Sequence, residues 1–167
     1  MEQAGDAGML LALMQALEAS ALGELVRTSH WVYPLASVLH ILGLAFLLGS
    51  IAVFDLRVLG FGRGLSLEAS AALLLPIARV AFVVQLATGF LMFAADADHV
   101  YDNPYFLLKL ALILAALLNI LLFHRRLRRD RFFGQGTDAP GWARTGAAIS
   151  LLAWIGVAVA GRMIAYV

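Results

Sequence analysis

Long apolar runs separated by short polar joints organise the chain. A helix crossing a bilayer core takes about 20 apolar residues. Four runs meet that length: 31–54, 69–95, 104–123 and 145–167. The joints 55–68, 96–103 and 124–144 carry charge, Gly or Pro, as connections do. Pro76 and Arg79 interrupt the second run, so its membrane part is expected to start near Val80. The other three runs hold one deep ionisable residue each: His40, Lys109 and Arg162. The pattern predicts an all-α integral membrane four-helix bundle over 31–167, preceded by a separate segment over 1–30.

That first segment is apolar from Met9 to Leu17 but is interrupted by Glu18 and Glu24. Leu10, Met14, Leu17, Ala21 and Leu25 recur near one face at helical spacing. It is too short to span, and Glu2 and Asp6 stand where a signal peptide is basic. The expectation is an amphipathic helix on the membrane surface. A packing helix at the mouth of the bundle fits the same spacing.

Composition removes the water-soluble alternatives. Hydrophobic residues make up 62% and charged residues 14%, with a mean hydropathy of +0.88. Soluble domains average roughly 45–50% and about 25%. Disorder is excluded on the same ground. With no cysteine, disulfides, thiolate metal sites and cysteine nucleophiles are excluded as well.

The placement of charge predicts orientation. Arg57, Arg63, Arg79, Arg125, Arg126, Arg128, Arg129, Arg131 and Arg144 fall on one side of the spans, and only Arg27 on the other. Cytoplasmic loops are the basic ones. Both ends of the chain are therefore expected outside, with the protein multi-pass in a bacterial inner membrane. The arginine run at 125–131 reads as an anchor beside anionic lipid, and nucleic acid is not an expected partner.

An ionisable side chain inside a span usually faces the bundle interior or a cavity. His40 lies six residues past Pro34, about 9 Å along the helix. Lys109 lies five residues past Pro104, and Arg162 five residues before Val167, about 8 Å in each case. Three spans thus place a nitrogen-bearing side chain at one depth in the outer half. Gln85 and Thr88 of the second span reach the same half, and Tyr166 stands one turn beyond Arg162. Gly43, one turn after His40, leaves room for another helix or for a flat ligand.

Haem fits such a set. Neutral imidazole is a standard axial ligand, and Lys and Arg can meet propionates. A helix–helix histidine and snorkelling cations fit too. His124, about 30 Å from the outer edge, cannot share an iron with His40. It reads as an interfacial residue at the end of its span. His30 and His99 lie outside, at span ends. Asp55 and Arg57 are expected to pair with each other or with headgroups. No HExxH, CxxC or glycine-rich phosphate loop occurs.

Several segments carry a family resemblance. Trp31-Val-Tyr-Pro, Leu39-His40-Ile41-Leu42-Gly43, Asp55-Leu56-Arg57-Val58-Leu59-Gly60, Thr88 through Phe93, Asn103 through Lys109, Asn119 through His124, and Trp154 with Gly161 through Tyr166 resemble a bacterial four-helix membrane family of undefined function. The chain is more distantly similar to the haem-containing, four-helix protoporphyrinogen IX oxidase (HemJ-type). His40-Ile41, Arg57, Lys109 and His124 match its pattern. That resemblance implies His40 and Lys109 as the functional pair. The chain departs from it at Tyr105 and Phe106, where that family has a tryptophan near the lysine, and in lacking an aromatic tail after Asp55-Leu56-Arg57. Copper-resistance proteins and dihaem cytochromes b share a loosely similar helical plan. Copper is disfavoured because the methionines do not cluster in the spans.

The reading is a cytochrome b-like bundle holding one haem b, with His40 as the axial (metal) ligand. Lys109 is a second ligand or propionate partner, Arg162 is a propionate partner, and Gly43, Thr88 and Tyr166 line the site. Electron transfer between quinone and a periplasmic redox partner, or haem-dependent oxidation of a small molecule, would follow. A porphyrinogen oxidase-like enzyme and a non-redox subunit or small transporter binding an anion remain as alternatives. The bilayer is the expected environment, and a homo-oligomer fits it.

Overall fold

The computed structural model describes residues 2–130 and 139–166. Arg131 and Val167 lie outside the described residues, as do the side chains of Arg128 and Arg129. The chain is all-α. Four long apolar helices pack together: α3 (Val32–Leu59), α4 (Leu67–Ala95), α6 (Pro104–Asp130) and α7 (Gly141–Met163). Short helices α1 (Glu2–Glu18) and α2 (Ala21–Thr28) precede them, and α5 (Ala97–Val100) joins α4 to α6. A single 3-10 turn, Ile164–Tyr166, follows α7.

Local signals set the helix ends. The Ser66 hydroxyl accepts from Ala69 N at 3.0 Å and caps the start of α4. Asn103 Oδ1 accepts from Tyr105 N at 2.9 Å and Phe106 N at 3.3 Å, with Pro104 in the first helical position, where its missing N–H does no harm. Gly60, at φ 109°, closes α3. Its N–H reaches Arg57 O and that of Phe61 reaches Leu56 O, a Schellman pattern that needs a residue without a Cβ. All four helices exceed the expected apolar runs at their arginine-rich ends. Asp55 and Arg57, expected in a joint, therefore lie within α3.

In space the order is α4–α3–α7–α6. The backbones of each neighbouring pair run close, while those of α4 and α6 scarcely come within 8 Å. Large side chains fill the interval. Phe93 of α4 stacks on Phe106 of α6 with centroids 5.1 Å apart, and Phe82 of α4 meets Trp154 of α7 edge-on at 6.0 Å. Where helices approach closely the core is small: Ala78, Ala81, Ala116 and Ala153 surround Leu47, Ile51, Trp154 and Val157. Between lipid-exposed helices there is little hydrophobic drive, so close van der Waals packing of small residues holds them together. A second cluster, Phe54, Val58, Leu67, Ala143 and Ala147, closes the arginine-rich end.

The N-terminal segment forms two helices rather than one. Ser20 caps α2 by accepting from Gly23 N at 3.2 Å, and the chain bends 57° there. Met14 and Leu17 of the expected stripe are half-buried, while Leu10, Ala21 and Leu25 are exposed. Gly23 and Val26 pack α2 against α4, so tightly that a Cβ on Gly23 would lie 2.7 Å from the Ala94 carbonyl. The structure thus favours the packing role at the mouth over a helix lying free on a surface.

Candidate functional site

His40 stands eight residues into α3, facing α4. Its Nδ1 lies 2.8 Å from Thr88 Oγ1. The Thr88 hydroxyl is also 2.7 Å from the Val84 carbonyl, which can only accept. A hydroxyl has one proton; when it is directed to Val84, Thr88 accepts from His40 Nδ1–H and Nε2 carries the lone pair. Nε2 has no hydrogen-bond partner among the described residues. Gln85 Nε2 donates to the His40 backbone carbonyl and fastens α3 to α4 one turn earlier. Gly89 gives the imidazole its space, since a Cβ there would come within 3.2 Å of His40 Cε1.

Lys109, in the second turn of α6, lies along α7. Its Cδ, Cε and Nζ are 3.6–3.7 Å from where a Gly161 Cβ would stand. The glycine thus forms a trough for the lysine stem. Lys109 is half-buried, within electrostatic reach of His40, and meets no carboxylate among the described residues. Thr88 of α4 and His40 of α3 thus meet beside Gly89, while Lys109 of α6 lies against Gly161 of α7, within electrostatic reach of the imidazole.

Other expected site residues are placed differently. Gly43 is covered by α4, where a Cβ would meet Gln85 Nε2 at 3.1 Å and Val84 Cγ1 at 3.2 Å. Its room serves a helix crossing, the first of its two expected uses. Arg162 is exposed and turned to Tyr166. Its Nη2 donates to the tyrosine hydroxyl at 2.6 Å and its guanidinium lies 5.0 Å over the ring. His124 is exposed, with Nδ1 2.9 Å from the Ile120 carbonyl one turn back, as an interfacial helix residue would be. His99 Nδ1 sits 2.6 Å from Asp98 and 3.1 Å from Asp96. The charges of Asp98, then Asp96, hold its imidazole above the ordinary range. Glu18 joins this group, accepting from Asp98 N at 3.3 Å and pairing with Arg27 at 3.3 Å.

Sequence reasoning missed a second polar group. Asp55 is 5% exposed and bonds the Ser150 hydroxyl of α7, rather than pairing with Arg57. Arg57 is 3% exposed and donates Nε to the Leu65 carbonyl at 2.6 Å. Asp55 Oδ2 and the Trp154 indole N–H have no partner among the described residues. One signal could have revealed this: the apolar run continues past Asp55 and Arg57 without a breaker until Gly60.

Four spans of this length and hydropathy, packed through small residues, define a multi-pass all-α membrane protein. The chain belongs to the family of unknown function DUF6644, which it matches over residues 13–167. No curated protein and no solved structure matches it.

Proposed function

We infer that the protein binds one haem b at the His40 end of the bundle and serves electron transfer in a bacterial inner membrane. One observation carries this reading: Thr88 Oγ1 engages His40 Nδ1 at 2.8 Å and Nε2 has no partner among the described residues, which leaves that nitrogen for an iron. Haem iron takes a neutral imidazole nitrogen, and a ligating histidine usually donates its other N–H to an orienting partner. The donor set therefore fits a haem. The bound haem would supply reversible one-electron chemistry. His40 would hold the iron, Thr88 would keep the ring oriented, and Lys109 would meet a propionate. Arg162 would have to leave Tyr166 to do the same. The basic asymmetry of the joints supports an N-out, C-out orientation and a periplasmic or quinone redox partner.

Lys109 supports a second reading. A span lysine without an acid partner suits a small anion, and the protein would then be a non-redox membrane module.

The visible spectrum of the purified full chain tests both. A Soret band that His40→Ala removes, and His124→Ala retains, is the expected result. With a propionate partner, Lys109→Arg keeps the spectrum and Lys109→Met lowers haem retention without changing the ligand bands. Full haem content in His40→Ala ends the axial assignment. A protein that takes up no haem while Lys109 governs anion binding supports the second reading.

A further inference from the structure

The arginine-rich end holds a crevice between α6 and α7 that neither polar group described above uses. It has a volume of about 160 Å³ and is lined in part by Asn119, Phe123, Arg126, Trp142 and Thr145. We propose that this crevice binds the headgroup of one anionic phospholipid, with Arg126 as the cationic contact. The ligand is a resident lipid, distinct from the bulk bilayer.

The arrangement is built from two helices. Trp142, in the first turn of α7, packs on Phe123 of α6 with centroids 5.3 Å apart. The Arg126 guanidinium lies 5.4 Å from the centre of the same indole. Stacking leaves the edge of a guanidinium available for hydrogen bonds, and its planar fork suits phosphate. Arg126 is exposed, and no carboxylate meets it among the described residues. Asn119, seven residues before Arg126 on α6 and about 10 Å deeper along the helix, donates Nδ2 to the Gly146 carbonyl at 2.9 Å. That bond ties the two helices together at the deeper end of the crevice.

The occupant follows from charge and position. Basic pockets between spans at a membrane face attract anionic headgroups, and a tryptophan at the same level marks the interface. Leu122 and Ile149, on the two walls, are 54% and 49% exposed and lead toward the hydrocarbon. A free anion would make no use of those apolar walls, whereas an acyl chain would lie along them. A zwitterionic lipid carries its own cation and would have less need of Arg126.

Native mass spectrometry of the full chain in mild detergent, with phosphatidylglycerol or phosphatidylcholine added, tests this. One phosphatidylglycerol per chain should be retained in preference to phosphatidylcholine. Arg126→Gln should weaken retention by about tenfold, the effect of one charge-assisted contact. Arg125→Gln, exposed and about 100° around the helix, should leave it unchanged. Both substitutions are at exposed positions, and a helical circular dichroism spectrum checks that the fold is kept. Equal losses in the two variants would mean diffuse attraction and overturn the site. So would equal retention of phosphatidylcholine, or displacement of the lipid by inorganic phosphate at matched concentration.

Discussion

At the His40 end of the bundle, two nitrogen bases, His40 Nε2 and Lys109 Nζ, stand half-open with no acid beside them among the described residues. Toward the arginine-rich end, Asp55 and Arg57 are almost wholly enclosed, and each reaches a group of the protein itself. Both regions place ionisable groups in membrane spans, which is unfavourable unless something meets the charge. In the second region the Leu65 carbonyl meets Arg57, and Asp55 is enclosed with one oxygen on Ser150 and the other without a partner among the described residues. In the first, Thr88 holds the His40 ring, and His40 Nε2 and Lys109 Nζ are left without a hydrogen-bond partner among the described residues. Enclosed groups hold helices in register, while half-open ones are suited to a ligand.

Substitutions separate these roles. Thr88→Val keeps shape but removes the hydroxyl that engages His40 Nδ1. Loss of such an orienting partner lowers metal affinity by about 10–100-fold. Haem titration should show that weakening with little change in thermal stability. Unchanged affinity would mean Thr88 has no part in the site. Asp55→Ala should do the opposite. It strands the Ser150 hydroxyl and is expected to destabilise by about 1–3 kcal/mol, with the Soret band intact. If Asp55→Ala instead lost haem at unchanged stability, the contrast between the two regions would collapse.

A smaller effect is expected at Gly43. An alanine Cβ would press on Gln85 and Val84 at 3.1–3.2 Å. Both are side chains that can give a little, so a loss of about 1 kcal/mol is expected from mild overpacking. Haem affinity should fall with it only as far as the His40–Thr88 bond is stretched. A larger loss of haem than of stability would assign Gly43 to the ligand after all.

The smallest effect belongs to the exposed group at the mouth. The charges of Asp98 and Asp96 raise the His99 imidazole, so the stability it contributes is full below about pH 6.5 and is lost as pH rises through the elevated value. A hydrogen bond from the protonated Glu18 carboxyl, ahead of the His99 charge, lowers Asp98, whose contribution is present above about pH 4 and lost as pH falls through the lowered value. Amide exchange in α1 and α5 should be slowest between these limits and rise slightly on going alkaline. His99→Gln should remove that alkaline rise, and an identical profile in the variant would exclude His99 as its source.

The four spans were legible because a bilayer demands long apolar runs, and composition leaves such runs no other fold. The pairing of His40 with Thr88 was half legible. Depth along the helices put Thr88 in the right half, but only the α3–α4 crossing over Gly43 shows that the hydroxyl meets the ring. Arg162 was placed by depth alone, which carries no azimuth, and its side chain turned out to engage Tyr166. Asp55 was illegible for another reason. Charge in a linear sequence reads as a boundary, while its burial depends on Ser150, some 95 residues away on α7. The split of the N-terminal segment at Ser20 was masked by an apolar stripe that runs through the cap.

The 28 residues of α3 measure about 42 Å, against about 30 Å of hydrocarbon. Some 12 Å of this helix must therefore tilt or stand beyond the oily layer. Asp55 is indifferent to how that surplus is shared, because neighbouring helices and not lipid supply its surroundings. The half-open His40 and Lys109 have no such insulation. A thicker or thinner bilayer would therefore be felt at one end of the molecule only, and lipid chain length becomes a physical control on the candidate site that leaves the fold untouched.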